Sequence, residues 1–116
     1  MTTIYGIKNC DTMKKALRWL DEHNVQYTFH DYRKDGLTKA QLETWITSLG
    51  WEALVNKRGT TWRKLDPAVQ EAMNDQAAIA VLLEQPAMIK RPLLEHQDTI
   101  TLGFKPEQYT AIFASA

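Results

Sequence analysis

Hydrophobic positions along the chain change period several times, and each change marks an element. Thr3 to Ile7 is short, β-branched and aromatic, and gives way to the polar run Lys8-Asn9-Cys10-Asp11-Thr12, the pattern of a strand running into a helix start. Met13, Ala16, Leu17 and Leu20 then fall at i, i+3, i+4 and i+7, which predicts a helix ending near Asn24. From Val25 to Tyr32 the two-residue alternation returns, with Val25, Tyr27 and Phe29 on one face of a strand. The first third of the chain is thus expected to be β-α-β.

Asp35-Gly36 reads as a turn, and Thr38-Lys39-Ala40-Gln41 as a capping box with Leu37 and Leu42 as its hydrophobic staple. The apolar face of this helix passes through Leu42, Trp45, Ile46 and Leu49, and Gly50 supplies a residue that tolerates a left-handed stop. Asp66-Pro67 pairs an N-cap with proline at the first helical position of a short helix ending near Asn74, and another helix is expected from about Gln76 to Glu84, closed by Pro86. Leu93 to His96 and Thr99 to Leu102 form a predicted antiparallel hairpin across Gln97-Asp98, and Lys105-Pro106-Glu107 opens a last helix through Phe113. The order β-α-β, helical block, β-β-α is that of an α/β thioredoxin-like fold. It predicts a mixed four-stranded sheet covered by helices, with a helical insertion at about 38–85 of a single domain spanning 1–116.

Composition narrows the function. With 116 residues, 44% hydrophobic and 24% charged, the chain is long enough to form a core without metal or disulfide staples. Fourteen basic residues balance fourteen acidic ones, so the basic stripe required for binding a phosphate backbone is missing, and neither nucleic acid nor a membrane is an expected partner. The longest apolar stretch, Ala77 to Leu83, is far short of the roughly 20 residues needed to span a bilayer. The N-terminal residues lack the pattern of a secretory signal, which makes a cytoplasmic location the expectation. Nothing in the sequence demands more than a monomer.

Chemistry is concentrated at one residue. Cys10, the single cysteine, can make no internal bridge, so any disulfide chemistry must involve a thiol from another molecule. A lone cysteine is more often a small buried hydrophobe. Its position at a strand-helix junction reverses that preference, because free N–H groups and the helix dipole favour a thiolate there. Lys8, Lys14 and Lys15 would lower the thiol pKa further if they approach the sulfur, whereas Asp11 opposes them. A second candidate is Asn56-Lys57-Arg58-Gly59-Thr60-Thr61-Trp62-Arg63-Lys64, either an oxyanion pocket or, more commonly for such a run, a solvated loop. Lys90-Arg91-Pro92 is a third basic spot, where the local sequence favours an ordinary trans proline entering a strand. His23, His30 and His96 lack metal-ligand spacing and no metal is expected, while Trp19, Trp45, Trp51 and Trp62 fit packing better than base stacking.

Taken together, Tyr5-Gly6-Ile7-Lys8-Asn9-Cys10-Asp11-Thr12, Asn56-Lys57-Arg58-Gly59 and Lys90-Arg91-Pro92 resemble the arsenate reductase (ArsC) family of thioredoxin-fold proteins, in its YffB/Spx-like branch. The likeness covers essentially the whole chain, including the closing Gly103-Phe104-Lys105-Pro106. It implies that Cys10 is the nucleophile, that Arg58 and Arg91 bind an oxyanion or glutathione together with Lys8, Asn9 and Thr12, and that Pro92 is a cis-proline beside the thiol. Two departures bear on substrate. Gly6 stands where arsenate reductases carry histidine, and Phe104-Lys105 offers no third arginine. Met13 occupies the second position of the C-x-x-C switch found in proteins similar to Spx, which excludes a disulfide within the chain.

The resulting expectation is a monothiol oxidoreductase, a thiol/disulfide reductase whose Cys10 thiolate is stabilised by Arg58 and Arg91, without a tightly bound cofactor and taking glutathione or another small thiol as co-substrate. A noncatalytic adaptor that docks on a protein partner is the alternative, and arsenate reduction ranks third because of Gly6 and the missing arginine.

Overall fold

The computed structural model describes residues 2–8 and 10–114. Its elements are β1 (Thr2–Gly6), α1 (Asp11–Glu22), β2 (Thr28–Asp31), α2 (Lys39–Leu49), α3 (Trp51–Leu54), α4 (Thr60–Arg63), α5 (Pro67–Glu71) and α6 (Asp75–Glu84). A 3-10 turn (Pro86–Met88), β3 (Leu93–His96), β4 (Thr99–Leu102) and α7 (Pro106–Ala114) complete the chain. Contacts group these into two compact units, one made of Met1–Lys34 and Arg91–Ala116, the other of Asp35–Lys90.

The first unit contains a thioredoxin-like mixed sheet of order β2-β1-β3-β4, with β1 parallel to β2 and the other neighbours antiparallel. Ile4 lies opposite both Phe29 and Leu94, so the period-2 alternation puts all three on one face. Against that face pack Met13, Ala16, Trp19 and Leu20 of α1 and Tyr109 of α7. The helical period predicted for α1 is thus the one that buries its apolar stripe.

Alpha 1 ends in a Schellman motif: the Val25 N–H donates to the Leu20 carbonyl at 3.0 Å and the Asn24 N–H to that of Asp21 at 3.2 Å. Asn24 adopts φ +58°, a left-handed conformation that asparagine tolerates better than most residues. This exit explains why the second strand is shorter than its alternation suggests. Val25 is used in closing the helix, Tyr27 donates its hydroxyl to Asp21 at 2.9 Å, and pairing with β1 begins only at Thr28. The β3–β4 hairpin has the predicted bounds, with Gln97 at φ +55° in its turn.

In the second unit the capping box at Thr38 forms in full: the Gln41 N–H donates to Thr38 Oγ1 and the Thr38 N–H to Gln41 Oε1. Leu42, Trp45 and Ile46 are buried as the pattern requires, together with Leu54, Val55, Met73, Ala78, Leu82, Met88 and Ile89. Gly50, at φ +85°, ends α2 and immediately starts α3, a one-turn helix that the pattern did not announce. Asn74 caps α6 by accepting from the Ala77 N–H, so that helix begins at Asp75. Pro86 closes it by turning the chain into 3-10 geometry. Among the described residues no helix is long and apolar enough to cross a membrane.

Candidate active site

Cys10 is the N-cap residue of α1. Its backbone is extended (φ −101°, ψ 131°) while its carbonyl already accepts the first helical bond from the Lys14 N–H at 3.0 Å. This is the position where serine or aspartate would cap the helix by offering an oxygen to the free amides of the first turn. The thiol makes no regular capping hydrogen bond, yet the amides of Met13 and Thr12 act on it. Burial is the largest single influence on the thiol and pushes its pKa up. The Met13 N–H, the Arg91 side chain and the Thr12 N–H each push it down, and together with the Arg91 charge they win, leaving Cys10 below its ordinary value.

Arg91 is the cationic side chain that acts on the Cys10 thiol. Lys8, Lys14 and Lys15 are all exposed, and lysines are not among the groups lowering the thiol. Arg91 lies two residues before β3 and is joined to the buried Pro92 by a cis peptide bond. The proline carbonyl accepts from the Gly103 N–H at 2.9 Å, which fixes this turn against the end of the hairpin. Arg91 also acts on Tyr32, a phenol 1% exposed. Burial raises the pKa of Tyr32 and the Arg91 charge opposes that rise. No sequence motif marks Tyr32, whose amide donates to the Gly6 carbonyl at 2.9 Å where β1 and β2 part.

Gly6, which ends β1, shares its space with Met13. A Cβ built on Gly6 would collide with Met13 Sδ and come within 2.9 Å of its Cε. Met13 is fully buried, so its thioether occupies the volume that any side chain at position 6 would claim. Positions 6 and 13 thus compete for one volume.

Of the other candidates, Lys8 is exposed in the turn after β1, Thr12 is half-buried in the first turn of α1, and Asn9 lies outside the described residues. Arg58 belongs to the second unit, exposed, with its N–H donating to Asn56 Oδ1 at 3.2 Å. The Asn56 carbonyl accepts from the Gly59 N–H, and Gly59 leaves so little room that a Cβ would stand 3.0 Å from Asn56 Nδ2. The basic run is only partly a loop, since Thr60–Arg63 forms α4. Its Lys57 lies over Trp51 and Trp62, 4.9 and 5.7 Å from their ring centres, and pairs with Glu52 at 3.7 Å. His23 and His96 are hydrogen-bonded through Nδ1, and His30 packs on Tyr5.

With this geometry in place the chain can be set beside known proteins. The ArsC family model matches residues 5–112, nearly the full length. This chain belongs to the ArsC family. A Haemophilus influenzae protein is 49% identical over 114 residues, covering 98% of this chain and all of its own. The solved structure of a YffB protein superposes with a TM-score of 0.92 at 49% identity, covering 96% of this chain and 97% of that one. Spx of Streptococcus pyogenes, described as a global transcriptional regulator, is 25% identical over 116 residues, covering 98% of this chain and 86% of its own. The match begins at Tyr5, so it includes Cys10, Arg58 and Arg91.

Proposed function

We propose that the protein is a glutathione-dependent monothiol reductase with Cys10 as its nucleophile. The observation that carries this reading is the place of Cys10 at the N-cap of α1, where the amides of Met13 and Thr12 and the Arg91 side chain favour its thiolate against the opposing effect of burial. Membership of the ArsC family supports it.

In the proposed cycle the Cys10 thiolate attacks the glutathione sulfur of a mixed disulfide RS–SG. The RS–SG bond breaks as the Cys10–SG bond forms, and the RS⁻ that leaves takes a proton from water. A second glutathione, as thiolate, then attacks the glutathione sulfur of Cys10–SG. Oxidised glutathione departs and the Cys10 thiolate is restored, so that two glutathione sulfurs end in one disulfide for each mixed disulfide reduced. The groups that stabilise the resting thiolate also make Cys10 a better leaving group in the second step. Arg91 is the cation for that charge, and Lys8, Asn9, Thr12 and Arg58 are assigned to oxyanion or glutathione carboxylate binding on the strength of the family motif.

The test is turnover of a glutathione mixed disulfide, with alkylation of Cys10 followed against pH. Cys10→Ser is expected to abolish turnover, and Arg91→Ala to move the alkylation midpoint up. A Cys10→Ser protein with unchanged turnover would overturn the assignment.

A second reading, a protein-binding adaptor, is favoured by the full-length likeness to Spx. It predicts partner capture that persists in Cys10→Ser, with no turnover in either protein. Arsenate reduction is the least favoured activity, because Met13 fills the space in which a histidine at position 6 would have to stand.

A further inference from the structure

The first unit carries a cavity of about 520 Å³ that the thiol chemistry does not use. It is bordered by Thr2, where β1 begins, and by Trp19 and His23 at the far end of α1 from Cys10. Alpha 1 has twelve residues, so the helix separates the cavity from the thiol by roughly 18 Å. Four rings form an arc along its wall: His23 stacks on Trp19 at 3.8 Å, Trp19 meets Phe113 at 5.8 Å, and His96 meets Phe113 at 4.6 Å.

Hydrogen bonding fixes what His23 and Thr110 offer a guest, while Asn24 and Gln26, also on the cavity, carry amides that can both donate and accept. His23 Nδ1 is 2.8 Å from the Trp19 carbonyl, and because a carbonyl only accepts, Nδ1 must carry the proton. In the tautomer selected by this bond, Nε2 is the acceptor. The Thr110 hydroxyl, also on the cavity, already donates to the Pro106 carbonyl at 2.8 Å and has only lone pairs left. Among the described residues no Asp, Glu, Lys or Arg lines the cavity, so no charge is present to recognise an ion. The volume is in the range of small-molecule sites, roughly 300–1,000 Å³.

We infer that this cavity is a binding site for an uncharged, planar nitrogen heteroaromatic of one or two rings, packed against Phe113 and the stacked pair of His23 and Trp19, its N–H donating to His23 Nε2. Aromatic walls supply the apolar contact, and His23 Nε2 with the lone pairs of Thr110 selects for a donor at that side of the cavity.

The experiment is an amide-resolved NMR titration of the full chain with indole and, in parallel, with benzofuran, which has the same shape but no N–H. Saturable shifts are expected at Trp19, His23, Val25 and Phe113, with indole bound roughly three- to tenfold more tightly than benzofuran, the range given by one net hydrogen bond. His23→Phe keeps a ring on Trp19 and removes the acceptor, so the two probes should then bind alike. Thr110→Trp should fill the cavity and abolish both titrations while the spectrum stays dispersed. The inference is overturned if indole gives no saturable shifts at these residues, if its shifts centre on Cys10, or if wild type binds indole and benzofuran equally. The thiol is untouched throughout, so the outcome is independent of the reductase reading.

Discussion

Replacing Gly6 with alanine tests the tightest packing next to the proposed nucleophile. The new Cβ would overlap Met13 Sδ and crowd Cε, and Met13, buried completely among Ile4, Ala16, Leu20 and Leu94, must move within a filled core. Overpacking of this kind costs about 1–3 kcal/mol. Two effects reduce it. Methionine is flexible and re-routes more easily than a branched side chain. Alanine also restricts the unfolded chain, which offsets about 0.4–1 kcal/mol, and Gly6 has no positive φ to make alanine strained. The expected net loss is about 0.5–2 kcal/mol, or several degrees in Tm for a domain of this size.

Urea unfolding of wild type, Gly6→Ala, Met13→Ala and the double variant measures the effect as a cycle. Met13→Ala alone should cost about 2–5 kcal/mol through the cavity it leaves. In the double variant the methyl group introduced at position 6 refills part of that cavity, so the combined loss should fall short of the sum by at least about 1 kcal/mol. If the two losses simply add, or if Gly6→Ala is as stable as wild type, the contact between positions 6 and 13 does not have the importance assigned to it. Far-UV circular dichroism and the urea m-value should stay unchanged, which separates a local clash from a loosened fold.

The remaining predictions concern charge, a buried hydroxyl and a cap. Because the Cys10 pKa is lowered on folding, wild type should lose stability relative to Cys10→Ser as pH falls from above the ordinary thiol value of about 8.5 through the folded-state value. Unfolding midpoints across that interval, measured for both proteins, should diverge toward high pH, and parallel curves would contradict a lowered thiol. Tyr109, fully buried between Trp19, Phe104 and Phe113, has a hydroxyl with no hydrogen-bond partner among the described residues. Tyr109→Phe should therefore be neutral or stabilising by up to about 1–2 kcal/mol in thermal melts, and a loss of that size would reveal a partner for the phenol. Thr38→Ala removes half of an exposed capping box and should cost about 0.5–2 kcal/mol by urea unfolding.

The elements most legible in the sequence are those whose ends are fixed by local chemistry. Thr38 and Gln41 start α2, Asp66-Pro67 starts α5, and the β3–β4 hairpin follows from two β-rich runs separated by two residues. The β2 start, at Thr28 rather than Val25, was hidden because the Schellman closure of α1 depends on where the helix stops, not on the alternation that follows. Alpha 3 and α4 are single turns of four residues, too short for a helical period to repeat. At the site, Cys10 and Arg91 are both visible as sequence features, but the field that Arg91 exerts on Cys10 and Tyr32 arises from tertiary approach and has no local signature. The cis peptide before Pro92 is likewise tertiary: the local sequence favoured trans, and only the family resemblance pointed to cis. The lysines next to Cys10 in sequence show the converse: closeness along the chain leaves their charges in solvent.

Met13 ties these observations together. Its amide is the foremost of the groups lowering the Cys10 thiol, while its side chain fills the space over Gly6 and joins the core beneath the sheet. A cysteine in its place would permit an internal disulfide with Cys10, and a histidine at position 6 would require it to leave. The residue that supports the thiolate through its backbone therefore restricts its partners through its side chain. A Cys10 sulfenic acid or mixed disulfide has no second cysteine in the chain to resolve it. For a catalytic cycle to close, the second thiol must arrive from solution. Dependence of turnover on the concentration of an external thiol, with no intramolecular phase after a single oxidising pulse, is the kinetic consequence.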